Sequence, residues 1–259
     1  MSSNVSISFD RAASYYDSTR TPDEKITGRV ADRLADRFRG AGQVLEVGVG
    51  TGQMALPMAR RGVDLFGFDL STDMMKRLRG KEGHEAIRLV RADATRMPFG
   101  DGSFGGAYAR WVLHLISAWE QAVAEMDRVV ADHGVIAIEP GGESGMFAEI
   151  YVRFVAILGD TARLPGLDPI DRDPLLDAAM ERIGRRVTDV WPVTYPRNLS
   201  IAEQLERVPE KIYAWTWSVP DEDLRTATDR VRAWATTHFD IDAPQPDLPT
   251  HWRIYERAA

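Results

Sequence analysis

The feature that most constrains the fold of this chain is a glycine-rich turn directly behind a short apolar segment. Residues 44–52 have the sequence VLEVGVGTG, and the apolar residues after them, Met54, Leu56 and Met58, predict a helix. Glycines between a strand and a helix allow a tight turn and a close approach of a ligand to the main chain. The helix N-terminus also offers free N–H groups to an anion. The segment therefore predicts a strand–turn–helix unit that binds a carboxylate or phosphate, or alternatively a tight turn without a ligand.

The spacing of the three glycines bears on the kind of ligand. Gly48, Gly50 and Gly52 alternate, and Glu46 stands two residues ahead of them. A dinucleotide-binding fingerprint would need a further glycine at the position that Gln53 holds. An NAD-dependent oxidoreductase is therefore a weaker alternative for this chain.

Predicted strands and helices alternate over the first 142 residues. Residues 9–20 precede them as a short helix or an ordered arm, and Thr21 is expected to cap the following helix, with Pro22 in its first turn. The alternation implies a parallel sheet with right-handed crossovers. Further strands are predicted at 64–68, 87–90, 105–109 and 135–138, with helices at 21–40, 54–61, 71–79 and 119–130.

The pattern is less regular after residue 142. We interpret the chain as one integrated domain in which residues 1–142 carry the arm and the ligand-binding part of the core. Residues 143–259 carry the remaining core strands and an inserted helical cap. The segments predicted there are helices at 143–158, 174–183, 201–215 and 221–237, a loop at 164–174, and strands at 186–195 and 252–255.

Two acidic residues follow the second and third predicted strands. Asp69 is placed to accept hydrogen bonds from both hydroxyls of a ribose, or alternatively to cap a helix. Asp93 is placed to accept from the exocyclic amine of an adenine, or alternatively to form an Asx-turn. The glycine turn, Asp69 and Asp93 all lie at the carboxyl ends of strands, where open α/β sheets bind ligands.

In these stretches the sequence resembles the class I S-adenosylmethionine-dependent methyltransferases. More narrowly, it is similar to the small-molecule group that includes the ubiquinone/menaquinone-biosynthesis C-methyltransferases. The resemblance implies a Rossmann-like, seven-stranded, mostly parallel sheet sandwiched by helices, with the last strand antiparallel. It covers residues 10–142, in the stretches 44–52 (VLEVGVGTG), 67–71 (GFDLS), 91–99 (RADATRMPF), 103–104 (SF), 111–116 (WVLHLI), 125–130 (EMDRVV) and 134–140 (GVIAIEP).

The sequence departs from the family pattern at three places. Gly105 stands where an acid usually follows Phe104, and residues 132–134 (DHG) replace the usual Pro-Gly-Gly turn. His114 lacks the second histidine that the pattern places beside it. The first two departures concern local packing, and the third leaves a role for a histidine pair unsupported.

The resemblance implies S-adenosyl-L-methionine as cofactor and S-adenosyl-L-homocysteine as product. Gly48 and Gly52 would hold the methionine part through their backbone, Asp69 the ribose, and Asp93 the adenine amine. The N-terminal arm would close over the cofactor carboxylate, or alternatively lie on the surface. The implied cofactor-binding residues are Tyr16, Arg20, Glu46, Gly48, Gly50, Gly52, Asp69, Leu70, Asp93, Ala94 and Arg110.

Methyl transfer is an in-line displacement that depends chiefly on holding the reactants in near-attack geometry. A base is needed only where the acceptor must lose a proton, and the candidates are His114 and Glu139. His114 is alternatively a packed, hydrogen-bonded residue. The five histidines are scattered without paired ligand spacing, so we expect no metal.

Aromatic residues are candidates for acceptor binding, because they stack on rings and hold cations. The alternative is that those in the cap form its hydrophobic core. The candidates are Trp111, just after the fourth strand, and Trp191, Tyr195, Tyr213, Trp215 and Trp217.

Composition narrows the class of partner. With 32 Lys and Arg against 39 Asp and Glu, the net charge is −7, which argues against a general nucleic-acid binder. The chain has no cysteine, which excludes disulfides and zinc–thiolate sites and fits a cytoplasmic location. No apolar run approaches the roughly 18 residues of a membrane span. We expect a small-molecule methyltransferase acting on O, N or C, or alternatively a non-catalytic S-adenosylmethionine-binding regulatory protein.

Overall fold

The computed structural model describes residues 6–20, 23–141, 146–168, 170–197 and 199–257. One sheet has the strand order β3-β2-β1-β4-β5-β7-β6. The pairs β1–β2, β1–β4, β2–β3 and β4–β5 are parallel, and β7 is antiparallel to β5, which confirms the predicted fold class. The strands are β1 (Gln43–Val47), β2 (Asp64–Asp69), β3 (Ile87–Arg91), β4 (Phe104–Arg110), β5 (Val130–Glu139), β6 (Arg185–Tyr195) and β7 (Leu248–Arg257).

The α-helices of the described residues fall between and after these strands. The helices are α1 (Tyr16–Arg20), α2 (Glu24–Arg37), α3 (Ala55–Ala59), α4 (Thr72–Arg79), α5 (Trp119–Val129), α6 (Met146–Leu158), α7 (Arg172–Arg182), α8 (Ile201–Arg207) and α9 (Asp221–His238). Helices α2, α6 and α8 depart from the predicted bounds by more than two residues, and residues 143–145 of the predicted α6 lie outside the described residues.

The chain divides into two compact units. The sheet unit comprises Met1–Gly141, Pro165–Val193 and Thr250–Ala259, and the helical unit comprises Gly142–Leu164 and Thr194–Pro249. Within the sheet unit, Leu45 and Val47 pack on one face of the sheet with residues of α5 and α7, while Val44 packs on the other face with residues of α2 and α3. The helical unit has a separate core, drawn chiefly from α6, α8 and α9.

The cap of α2 differs from the predicted one. Thr21 and Pro22 lie outside the described residues, and the Asp23 side chain accepts a hydrogen bond from the Ile26 N–H. Asp23 is therefore the N-cap, which satisfies one of the unpaired donors of the first turn. The helix buries Val30 and Leu34.

The helix predicted over residues 201–215 is wrong in its length. Helix α8 ends at Arg207, and a short 3-10 turn covers Val208–Glu210. Pro209 has no N–H to extend the helix, and Lys211 adopts a left-handed backbone with φ of 55°. The loop predicted over residues 164–174 is likewise shorter, because α7 already begins at Arg172.

Candidate functional site

The glycine turn is anchored to the end of the neighbouring strand β2. The N–H groups of Gly48 and Val49 both donate to the Phe68 carbonyl, at 3.0 and 2.9 Å. Gly50 has φ of 53° and Gly52 has φ of 81°, so both backbones lie in the region that favours glycine. A Cβ atom at Gly52 would overlap the Leu78 side chain, whereas one at Gly50 would have ordinary contacts. The turn thus needs Gly52 for space and conformation, and Gly50 for conformation.

Asp69, at the end of β2, joins the glycine turn to α4. Its Oδ2 accepts from the Gly50 N–H and its Oδ1 from the Ser71 N–H, both at 2.8 Å. Burial raises the pKa of Asp69, and these two backbone donors act in the opposite direction. The carboxylate therefore lies beside the turn at the carboxyl edge of the sheet, where the sequence analysis expected it.

Asp93 lies at the next strand end and makes the Asx-turn that was the alternative for it. Its Oδ1 accepts from both the N–H and the hydroxyl of Thr95, at 2.9 Å each, and the residue is exposed. Ala94 beside it is buried in the sheet core. Leu70 is half-buried, and its carbonyl accepts from the Arg91 side chain.

A cleft with about 330 Å³ of empty space opens beside the glycine turn. It brings together Tyr16, Glu46, Gly48, Gly50 and Arg110 of the predicted cofactor residues, and Trp111 of the predicted acceptor residues. Sequence reasoning missed four lining residues, although they stand within or just after the glycine motif that it used. These are Val49, Thr51, Gln53 and Met54.

Glu46 is the carboxyl side chain among the residues that line this cleft. It is 3% exposed, and its Oε2 accepts a hydrogen bond of 2.7 Å from the Tyr108 hydroxyl. Burial raises the pKa of Glu46 to about 8, against the opposing effects of Tyr108 and Arg110. This environment therefore favours a protonated Glu46 at neutral pH.

A buried ion pair joins the ends of β4 and β5. The Arg110 Nε lies 3.0 Å from the Glu139 Oε2, and both side chains are almost fully buried. Burial raises the pKa of Glu139, while the Arg110 guanidinium lowers it. Because Glu139 is engaged with Arg110, the geometry favours a role in holding Arg110 over that of a free base.

Trp111 follows Arg110 with an unusual backbone. Its φ is 53°, a conformation that non-glycine residues rarely adopt and that is found preferentially at functional sites. Its N–H donates to the Glu139 carbonyl at 2.9 Å, and the Arg110 guanidinium lies 4.0 Å from the centre of its ring. These contacts hold the indole at the wall of the cleft.

His114 lies in a 3-10 turn over Leu113–Leu115, just beyond β4. Its Nδ1 is buried and has no hydrogen-bond partner among the residues that the structure describes. Burial lowers the pKa of His114 to about 4, and the positive charge of Arg20 acts in the same direction. The imidazole is therefore neutral at physiological pH.

The N-terminal arm is tied to the glycine turn through Asp17 of α1. The Asp17 Oδ1 accepts from the Thr51 hydroxyl at 2.6 Å, and its Oδ2 lies 2.8 Å from the Lys81 Nζ. Lys81 also donates to the Thr51 carbonyl. Tyr16, next to Asp17, lines the cleft, and the Arg20 guanidinium lies 5.9 Å from its ring. The arm therefore forms part of the cleft wall.

Comparisons with known proteins agree with this geometry. A family model for a methyltransferase domain matches residues 45–138. The malonyl-[acyl-carrier protein] O-methyltransferase of Geobacter sulfurreducens is 31% identical over 189 residues, which are 71% of this chain and 70% of that protein. The chain belongs to the class I S-adenosylmethionine-dependent methyltransferases.

Other relatives of this methyltransferase agree with the assignment. The demethylmenaquinone methyltransferase of Renibacterium salmoninarum is 32% identical over 58% of this chain and 65% of its own length. Among solved structures, the YcgJ protein from Bacillus subtilis has a TM-score of 0.61 at 17% identity, over 92% of this chain and all of that one. This last likeness shows the fold alone.

The cleft of this methyltransferase fits the cofactor of its family. The fit rests on the left-handed glycine turn, which leaves backbone open to a ligand, and on Glu46, a buried carboxyl group that lines the cleft. The described residues contain no cluster of three or more His, Cys, Asp or Glu side chains that could hold a metal ion. No helix among the described segments is long and apolar enough to cross a membrane.

The aromatic residues of the methyltransferase that were predicted to bind the acceptor differ in their surroundings. Trp191 is buried in the sheet core, with the Arg33 guanidinium 4.3 Å from its ring centre, and it does not line the cleft. We therefore leave Trp191 out of the proposed acceptor site. Its burial with residues of α2 depends on packing that the local sequence does not reveal.

The other four aromatic residues belong to the helical unit. Tyr195 is buried, and Trp215 packs in the core of this unit with its ring centre 4.8 Å from that of Phe154. Tyr213 stacks on Trp215 and is half-buried. Trp217 is half-buried too, and its Nε1 donates to the Lys211 carbonyl. Trp215 is therefore a core residue of the helical unit, which was the alternative expected for the aromatic residues of the cap. Tyr213 and Trp217 keep part of their surface exposed.

Proposed function

We propose that this chain transfers the methyl group of S-adenosyl-L-methionine to a small-molecule acceptor. The observation that carries the proposal is the cleft in which the glycine turn, Glu46 and Arg110 meet beside Asp69. The cofactor supplies a methyl group on a sulfonium, which is already activated for in-line displacement. The work left to the protein is to bind, orient and shield the reactants.

Each proposed cofactor contact follows from the position of a residue. The backbones of Gly48 and Gly52 would hold the methionine part, and Glu46 would face its ammonium group. Glu46 is the carboxyl group among the lining residues of the cleft, whereas Asp69 and Glu139 do not line it. Asp69 would bind the ribose from the cleft edge.

The remaining proposed cofactor contacts are with the adenine base and with the N-terminal arm. Asp93 would meet the adenine amine at the end of β3, with Leu70 and Ala94 packed near the base. Tyr16 and Arg20 would cover the cofactor from the arm. The position of Tyr16 in the cleft wall and the ties of Asp17 to the glycine turn support this role.

On the acceptor side we propose Trp111, which lines the cleft, as a contact, while Tyr213 and Trp217 of the helical unit stay predictions. His114 would serve as a hydrogen-bonding partner through its Nδ1, which has no partner among the described residues. A neutral imidazole with a low pKa is a weak base. The proposal therefore favours acceptors that need little help in losing a proton. Glu139 would act by positioning Arg110.

The relatives named above act on different acceptors, a malonyl carrier protein and a demethylmenaquinone. The chain spans between 48% and 70% of the length of eight curated relatives that it matches. We therefore propose only the coarse acceptor class. A panel of small metabolites with O, N and C nucleophiles, scored by release of S-adenosylhomocysteine, would identify the acceptor.

Cofactor binding can be tested without an acceptor. S-adenosylhomocysteine at a hundred times its dissociation constant should stabilise the protein by about 2.7 kcal/mol. For a chain of this size, that corresponds to a rise of about 5–10 °C in the melting temperature. NAD should give no rise, and a shift with NAD alone would reject the proposal.

Binding of S-adenosylhomocysteine also tests the role of Asp69. Asp69→Ala removes charge-assisted hydrogen bonds and should weaken S-adenosylhomocysteine binding by about ten- to a hundredfold in calorimetry. Asp69→Asn keeps one oxygen acceptor at the same place and is the matched variant, with a smaller expected loss. Unchanged affinity in both variants would remove Asp69 from the site.

A further inference from the structure

We propose that Tyr108 is a positioning residue that prepares Glu46 for the ammonium group of the cofactor, and that cofactor binding is thereby coupled to release of a proton. The inference rests on the proposed function, because it requires that Glu46 faces the methionine part. It adds a residue, Tyr108, that does not line the cleft, and it assigns Glu46 a change of protonation.

Strand register brings the two side chains together. Glu46 of β1 and Tyr108 of β4 are direct partners in a parallel pair, so their side chains project from the same face of the sheet. The Tyr108 hydroxyl donates to the Glu46 Oε2 at 2.7 Å. On its other side Glu46 is in register with Gly67 of β2, which has no side chain to contribute a second partner.

Tyr108 is held rigidly by aromatic packing. It is fully buried, with ring centres 6.1 Å from Phe38 and 6.3 Å from Trp252. A ring packed in this way directs its hydroxyl to a fixed point, and that point is one oxygen of Glu46. The hydrogen bond therefore leaves the Glu46 carboxyl group with a defined orientation at the cleft wall.

The groups that face Glu46 do not supply a free positive charge. From β4 it is faced by Tyr108 and by Arg110, and Arg110 is already paired with Glu139. From β2 it is faced by Asp69, whose negative charge opposes ionisation of Glu46. Tyr16 of α1 lines the same cleft. An ammonium group that enters this cleft meets a carboxyl group that has no counterion of its own among the residues that the structure describes.

The protonation state of Glu46 follows from this environment. Burial raises the pKa of Glu46 to about 8, so the carboxyl group is mostly protonated at pH 7. A bound ammonium group favours the carboxylate, and the proton leaves through the cleft to the solvent. The Tyr108 hydroxyl stabilises the carboxylate that forms, because it donates to the oxygen that becomes charged.

Calorimetry with S-adenosylhomocysteine on the full chain tests the coupling. Titrations at the same pH in buffers of different ionisation enthalpy report the number of protons released. We expect approximately one proton at pH 7, and an affinity that rises up to about tenfold per pH unit between pH 6 and 7.5. Glu46→Gln should release no proton and bind weakly, with a much flatter pH dependence.

Tyr108→Phe keeps the ring and removes only the hydroxyl. It should weaken binding at pH 7 by about three- to tenfold, and move the rise in affinity to higher pH, because the Glu46 carboxylate loses a donor. 5′-Methylthioadenosine lacks the amino-acid part and is the matched ligand. Its affinity should be equal in the wild type and both variants and should not depend on pH.

Each outcome decides a separate point. If the wild type binds S-adenosylhomocysteine but releases no more protons than Glu46→Gln, the coupling is refuted while the proposed function stands. If Tyr108→Phe has the wild-type pH profile, the positioning role is refuted. If the wild type does not bind S-adenosylhomocysteine at any pH, the proposed function itself fails. Should Tyr108→Phe not fold, the proton count of the wild type against Glu46→Gln still decides the coupling.

Discussion

At the scale of single residues, the site contains two buried glutamates with different partners. Glu139 is paired with a guanidinium, whereas the hydrogen bond to Glu46 comes from a neutral hydroxyl. A buried carboxylate is costly unless it is paired with a positive charge. Because its hydrogen-bond partner is neutral, Glu46 avoids this cost by keeping its proton at pH 7, until a bound cation favours the carboxylate.

This difference predicts the stability of the protein without ligand. Because the pKa of Glu46 is raised on folding to about 8, its effect on stability is favourable at low pH and is lost as the pH rises through that value. Glu46→Gln keeps the size of the side chain and does not ionise. In the wild type the loss of stability runs from about pH 4.5 to about pH 8, so relative to the wild type the variant should gain about 3 kcal/mol of stability between pH 5.5 and pH 8.5.

Thermal unfolding at pH 5.5, 7.0 and 8.5 measures this effect. A relative gain of about 3 kcal/mol corresponds to a rise of about 6–12 °C in the melting temperature of the variant relative to the wild type. Glu139→Gln is the matched control and should be less stable at every pH, because it leaves Arg110 buried without its partner. A Glu46→Gln protein that gains no stability relative to the wild type between pH 5.5 and pH 8.5 would contradict the raised pKa.

At the scale of elements, side chains of the N-terminal arm bind the start of α4 and the glycine turn. Asp10 accepts from the Ser71 hydroxyl at 2.6 Å and from the Asp73 N–H at 3.1 Å, at the start of α4. Asp17 binds Thr51 and Lys81 at the glycine turn. Helix α1 is only five residues long, too short to be stable by itself, so these side-chain contacts determine whether the arm stays closed.

We therefore expect Asp17→Asn to loosen the arm. The Asp17–Lys81 pair is about one-third exposed, so its loss should lower the opening free energy by only about 1 kcal/mol. Amide exchange in residues 10–20 should then become about fivefold faster. S-adenosylhomocysteine should also dissociate faster, because Tyr16 forms part of the cleft wall.

Asp36→Asn provides the comparison for this experiment. It removes an exposed ion pair with Arg39 at the end of α2, and it should leave both exchange of the arm and ligand dissociation unchanged. Equal behaviour of the two variants would mean that Asp17 does not hold the arm.

Local signals were enough for the elements that surround the cleft. The alternation of strands and helices, the glycine turn and the bounds of α4 depend on residues close in sequence, and the structure confirms them. The two contacts that tune the site join distant residues. Asp17 and Thr51 are 34 positions apart, and Glu46 and Tyr108 are 62 apart. Such pairs depend on register and packing, which a single sequence does not encode in any short motif.

At the scale of the whole molecule, each unit has its own hydrophobic core, and the residues that line the cleft belong to the sheet unit. Trp215 lies in the core of the helical unit, so Trp215→Ala should destabilise the protein by about 3–5 kcal/mol. Its affinity for S-adenosylhomocysteine, measured below the unfolding temperature, should stay within about twofold of the wild type.

Trp217→Ala separates acceptor binding from stability. Trp217 is half-buried and lies outside that core cluster, so its truncation should cost less stability than that of Trp215. If Trp217 contacts the acceptor, kcat/KM for the acceptor should fall while cofactor affinity is retained. Wild-type kcat/KM in this variant would exclude Trp217 from the acceptor site.

The division of the chain into two units limits how recombination can exchange the helical unit between related genes. The helical unit is assembled from two separate stretches, and residues 165–193 between them belong to the sheet unit. Phe147 and Phe154 of the first stretch share one core with Leu205 and Val231 of the second. One recombination breakpoint between these stretches would join half of one parent's core to half of another's. Exchange of the helical unit between parents therefore needs paired replacement of both stretches, and a single cut does not suffice.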